Sequence, residues 1–169
     1  DFSTNEACAA GTGSFLEQQA RRLQLGVEEL SRLSSGARRA ATIAGRCSVF
    51  AKSDMIHLQQ KGTPPDEIAF GLCLAIARNS LATLLKGREP VTPVAIAGGC
   101  AHNLGIVRAF REILGIREEG QVICSPIPGL EGAAGAALAA REAGGDPVSL
   151  PDLRAVFARA AEAAANGSP

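Results

Sequence analysis

Two cysteines stand where a thiol can be turned toward metal binding or nucleophilic chemistry. Cys8 lies in Asn5-Glu6-Ala7-Cys8-Ala9-Ala10-Gly11-Thr12-Gly13 and Cys47 in Arg46-Cys47-Ser48-Val49-Phe50, each just ahead of a stretch with helical spacing. A helix N-terminus offers free amides and a positive dipole end, which lowers a thiol's pKa and stabilises a thiolate or an anionic cluster held by it. Two thiolates cannot complete a four-iron four-sulfur cluster, which takes four. A cluster here therefore demands two copies of the chain, each giving two cysteines. Spacing alone does not choose this reading, because free cysteines are also commonly buried as small hydrophobes.

A second constellation is Val94-Ala95-Ile96-Ala97-Gly98-Gly99-Cys100-Ala101-His102-Asn103. Paired glycines at the mouth of a strand let the backbone approach a ligand closely, and a nucleotide fits such a turn. Any tight strand-to-helix turn uses the same glycines, and His102 alone decides nothing.

The elements that must position these residues follow from periodicity. Ser14–Leu25 predicts a helix with Gly26 as its C-terminal stop, and Val27–Leu33 a short second helix ending at Gly36. Ala41–Ile43 is expected as a short strand, and Cys47–Phe50 leads into a helix that reaches about Gln60 and closes at Lys61 and Gly62. From Asp66 to about Leu85 apolar residues nearly encircle the helix, so it should be buried at the centre. Val94–Ala97, a helix over Asn103–Leu114 and Val122–Ser125 read as strand, helix, strand. Gly129–Glu142 is a small-residue helix able to pack closely on a sheet or ligand. A final amphipathic helix covers about Leu153 to Ala164.

Composition narrows the class. Seventeen basic and seventeen acidic residues cancel, so no field is available for nucleic-acid phosphates or an anionic membrane. With no Trp or Tyr and only six Phe, stacking platforms for bases are scarce. Continuous apolar runs such as Leu72–Ala77 fall short of a bilayer span. Neither nucleic acid nor membrane is expected as a partner, and a cytoplasmic location is. The five cysteines are an odd number, widely spread and without a CxxC pair, which argues against a disulfide framework. Cys73, Cys100 and Cys124 are expected to serve packing.

Three motifs in this order, Asn-x-x-Cys-Ala-Ala-Gly-Thr-Gly-x-Phe-Leu-Glu, Cys-x-Val-Phe-Ala-x-Ser and Gly-Gly-x-Ala-x-Asn, closed by Gly132-Ala133-Ala134-Gly135-Ala136-Ala137-Leu138, resemble one family. It is that of the ATPase activators of 2-hydroxyacyl-CoA dehydratases and the related ATPase subunits of benzoyl-CoA reductase, and the likeness runs from about Asp1 to Ala140. The resemblance implies an α/β chain of the actin-like ATPase fold (acetate and sugar kinase, heat-shock cognate, actin), here a second-domain part with a large helical share. Residues 1–145 would carry the cluster and adenosine motifs, and residues 146–169 a C-terminal helix and tail.

By the same resemblance Cys8 and Cys47 are the metal ligands, giving two thiolates per subunit to one 4Fe-4S cluster at a homodimer or pseudo-dimer interface. Gly98, Gly99 and Asn103 match the adenosine loop that binds ATP with Mg. The implied function is ATP-driven one-electron transfer from reduced ferredoxin or flavodoxin to a dehydratase or reductase component. Three alternatives remain at this stage: a benzoyl-CoA reductase ATPase subunit, a cluster-free structural module of the same fold, and a sugar or acetate kinase relative, for which no acidic catalytic residue is visible. Thr4, Lys52 and His102 depart from the family pattern. The family's phosphate-binding segments are expected to precede Asp1, so this stretch alone is not expected to hydrolyse ATP.

Overall fold

A computed structural model describes residues 13–44, 48–118, 120–144 and 149–166. The chain divides into two compact units, Asp1–Glu131 and Gly132–Pro169. In the first, helices α1 (Gly13–Arg22), α2 (Val27–Gly36), α3 (Ser48–Gln60) and α4 (Pro65–Leu85) precede strand β1 (Val94–Ile96), a 3-10 turn (Gly99–His102), helix α5 (Leu104–Leu114) and strand β2 (Val122–Cys124). The second unit holds α6 from its second residue on (α6 is Glu131–Glu142) and α7 (Leu150–Asn166).

Helix α4 is the centre of the first unit. Pro65 occupies its first turn with Asp66 and Glu67 behind it, a proline whose missing N–H is no loss there and carboxylates that complement the positive helix end. Every residue from Ile68 to Ala77 is buried, as expected of a helix apolar all round. Its 21 residues are long and apolar enough, by length and composition, to cross a membrane, yet 56% of the relevant window is buried within the fold. That exceeds the estimate from uninterrupted runs, because Gly71, Cys73 and the alanines extend the apolar surface beyond the bulky residues. Around α4 pack Phe15, Leu16 and Ala20 of α1, Leu30 of α2, Ala51 and Met55 of α3, and Ile106 and Ala109 of α5.

Helices α2 and α5 are joined with particular closeness. A methyl group on Gly105 would collide with the Ser34 side chain, so the two backbones meet where only glycine fits. Arg108 of α5 donates from Nη1 to the carbonyls of Ser34, Ser35 and Ala37 at 3.3, 3.0 and 2.7 Å. Those carbonyls lie in the last turn of α2 and just beyond it, where a helix leaves acceptors unsatisfied and favours a cation. The same guanidinium stacks on the Phe70 ring, 3.8 Å from its centroid.

Strands β1 and β2 run parallel, with Val94 opposite Val122, Ala95 opposite Ile123 and Ile96 opposite Cys124. The crossover helix α5 makes this a βαβ unit, as the sequence predicted. Two local expectations are corrected. The 41–43 segment is not a strand: Ala41 donates its N–H to the Glu67 carbonyl at 2.9 Å and Ile43 is buried in the helical core, so its apolar character serves packing and not a ladder. Gly26 does not stop α1 but stands at the N-cap of α2 with φ −74°. The left-handed residue is Gln24, φ 60°, and the bonds Leu25 N–H to Ala20 O and Gln24 N–H to Arg21 O close the helix as a Schellman turn. In the second unit, none of the described α6 side chains is buried.

Candidate functional site

The loop after β1 has a backbone that only glycine adopts readily. Gly98 sits at φ 81°, ψ 176°, a region closed to residues with a Cβ. Next comes the short 3-10 turn, in which Ala101 N–H donates to Gly98 O and Asn103 N–H to Cys100 O, both at 3.0 Å. At neither Gly98 nor Gly99 does anything lie within 4 Å of where a Cβ would stand. The space beside both is open to a ligand.

Asn103 ends this loop and begins α5. Its Oδ1 accepts the Ile106 N–H at 3.1 Å, which is the N-cap arrangement. Occupying the oxygen in this way directs the amide nitrogen the other way. Asn103 is only 4% exposed and its Nδ2 has no hydrogen-bond partner. Leaving a buried donor unmade costs about 1–3 kcal/mol, and Asn103 is among the residues that line the adjoining cleft.

That cleft has a volume of about 390 Å³, within the range of small-molecule sites. One wall is Gly99, Cys100, His102 and Asn103; the other is Gly13 and Leu16 of α1 with Val27, Glu28 and Ser31 of α2. Leu16 and Val27 give it apolar surface, while Glu28 and Ser31, one helical turn apart, give it polar atoms on one face. Ser31 Oγ accepts the Leu104 N–H at 2.9 Å, fixing one wall to the other. The structure therefore brings Gly99 and Asn103 into the cleft wall, with Gly98 setting the turn beneath them.

Sequence reasoning missed Glu28 and Ser31, whose only signal is the i, i+3 spacing in the first turns of α2. Cys100, expected to serve packing, lines the cleft instead, half-buried, with burial pushing its thiol pKa up. Cys73 does pack, fully buried, its thiol pushed up to about 12 chiefly by desolvation. Cys124 does not: of the three β2 residues only Val122 is buried. Cys8 and Cys47 lie outside the described residues; Ser48, which follows Cys47, is the first residue of α3. Among the described residues no group of three or more His, Cys, Asp or Glu could hold a metal ion.

The glycine-lined cleft lies beside a βαβ unit, in a fold shared with solved proteins of the actin-like ATPase class. The solved structure of component A of (R)-2-hydroxyglutaryl-CoA dehydratase from Acidaminococcus fermentans superposes with TM-score 0.73 at 34% identity, covering 82% of this chain and 51% of that one. The activator of 2-hydroxyisocaproyl-CoA dehydratase from Clostridium difficile, solved with bound ADPNP, gives TM-score 0.71 at 32% identity, covering 86% and 55%. The chain belongs to the BadF/BadG/BcrA/BcrD ATPase family, whose sequence model matches residues 1–140. The activator of lactoyl-CoA dehydratase from Anaerotignum propionicum is 38% identical over 142 residues, 84% of this chain and 53% of the relative. The chain spans about half the length of the relatives it matches.

Proposed function

We propose that the whole protein is a cytoplasmic, ATP-dependent activator of a 2-hydroxyacyl-CoA dehydratase, a homodimer that couples ATP hydrolysis to delivery of one low-potential electron. The observation that carries the nucleotide half of this reading is the unpartnered, buried amide of Asn103, a residue that lines the cleft together with Gly99. The residues fit an adenine nucleotide. Asn103 Nδ2 would donate to the base or ribose, Glu28 and Ser31 would meet ribose hydroxyls, and Leu16 and Val27 would cover the base. ATP supplies phosphoryl-transfer free energy when bound. What this chain does is seat the adenosine end and exclude water from it.

The electron-transfer half rests on donor chemistry: Cys8 and Cys47, two per chain, make a four-thiolate set when two copies meet. Reduced ferredoxin or flavodoxin is the donor proposed, and the similarity to proteins named as dehydratase components supports the acceptor.

The test uses the intact protein under strict exclusion of oxygen. Wild type is expected to carry about four irons and four sulfides per pair of chains; Cys8→Ser and Cys47→Ser should lose both, together with electron delivery. Asn103→Ala should weaken ADPNP binding about tenfold, the equivalent of one buried hydrogen bond, without changing iron content. Unchanged iron and electron delivery in both serine variants would refute the cluster assignment.

A further inference from the structure

Among the groups that the nucleotide reading does not use, the Glu131 carboxylate stands out by what it holds. Its Oε1 accepts the Gly98 N–H at 3.0 Å, and its Oε2 accepts the Gly129 N–H at 2.7 Å. These two glycines lie on different loops, one after β1 and one after β2, and both have positive φ, 81° and 85°. On the way between these loops, Ser125 Oγ accepts the Ile127 N–H at 3.2 Å and the Ser125 N–H donates to the Ile96 carbonyl at 3.2 Å. One side chain thus closes a ring that runs from the end of β1, across the sheet to β2, round the 125–131 turn and back to the glycine that opens the loop after β1.

Backbone conformations as restricted as that of Gly98 persist only where the surroundings determine them. Without an external acceptor its N–H would point at nothing within the loop, since the turn's own bonds use the Gly98 carbonyl and not its amide.

We infer that Glu131 is the positioning residue of the adenosine loop: by clamping Gly98 to Gly129 it holds the Gly98–Asn103 turn in the shape that receives a nucleotide, and so sets affinity without touching the ligand. The inference rests on the nucleotide reading above. Glutamine at 131 keeps one acceptor oxygen and so holds one amide at a time; alanine holds neither.

The experiment compares wild type, Glu131→Ala and Glu131→Gln in the full-length protein. ADPNP affinity is measured by calorimetry, and exchange of the Gly98 and Gly129 amides by NMR. Glu131→Ala is expected to raise the ADPNP Kd about tenfold, the usual scale for lost preorganisation of a loop, and to speed exchange at both amides by at least as much. Glu131→Gln should fall between. A purely structural residue would not give this graded rescue together with local exchange at two amides and an unchanged melting temperature. Wild-type affinity and exchange in Glu131→Ala would overturn the inference, as would weaker binding with both amides still protected. If Glu131→Ala does not fold, Glu131→Gln decides on the same two readings. Should wild type itself fail to bind ADPNP, the nucleotide reading falls, while amide exchange still decides whether the clamp exists.

Discussion

At the scale of single residues, the buried thiol of Cys73 has a protonation tied to folding. Burial raises the Cys73 thiol from an ordinary 9.0 to about 12. The unfolded thiol ionises near 9 and the folded one does not, so above that value unfolding releases protons and stability falls with rising pH. Below about 9 the group contributes its full stabilisation, and the loss runs from there toward 12. Cys73→Ala is expected to cost about 1 kcal/mol at neutral pH, the scale of a small core cavity. It should also flatten the decline of stability between pH 9 and 11, checked by urea unfolding across that range. A decline as steep in the variant as in wild type would remove Cys73 as its source. Glu131 works in the opposite sense. Its own backbone amide first, and then Gly98, hold its carboxyl below the ordinary carboxylate value, so its clamp is intact above that value and loosens as pH falls through the depressed one.

At the scale of elements, the α2–α5 pair carries a clear energetic prediction. Arg108 satisfies three carbonyls at the end of α2 and covers Phe70. Arg108→Ala should destabilise the fold by about 2–3 kcal/mol, the range of a partly buried charged hydrogen-bond set, read as a lowered urea midpoint at unchanged slope. Arg108→Lys should recover only part, since an ammonium has neither the planar fork nor the stacking face.

None of this stitching was visible in the sequence, where Arg108 is one of many helix arginines. What was legible were features written in local chemistry. The apolar girdle of α4, the Gly62 stop of α3 and the β1–α5–β2 succession all emerged as read. Signals failed where a residue type had two uses. Gly26 could be a stop or a cap, and Gln24 carried no mark of its left-handed conformation. The apolar 41–43 stretch could pair or pack. Gly98, Gly99 and Asn103 were singled out from their motif, whereas Glu28 and Ser31 come to the cleft, and Glu131 to the loop, through tertiary structure. Spacing along a chain does not encode those.

At the scale of the whole protein, the proposal makes oligomeric state depend on metal. If Cys8 and Cys47 of two chains share one cluster, removing iron with a chelator under reducing, anaerobic conditions takes away four covalent links across the interface. Sedimentation velocity should then show the dimer weakening by at least tenfold in Kd, and reconstitution with iron and sulfide should restore it. A dimer indifferent to iron would place the cysteines elsewhere.

The joining of α2 to α5 bears on the proposed nucleotide cycle as well. Ser31 bonds the start of α5, Gly105 lies against Ser34, and Arg108 secures the α2 end. The jaw proposed to receive adenosine is therefore set before any ligand arrives. The disorder surrendered to shape it is given up once, when the chain folds. It is not surrendered again at every exchange of spent nucleotide for fresh.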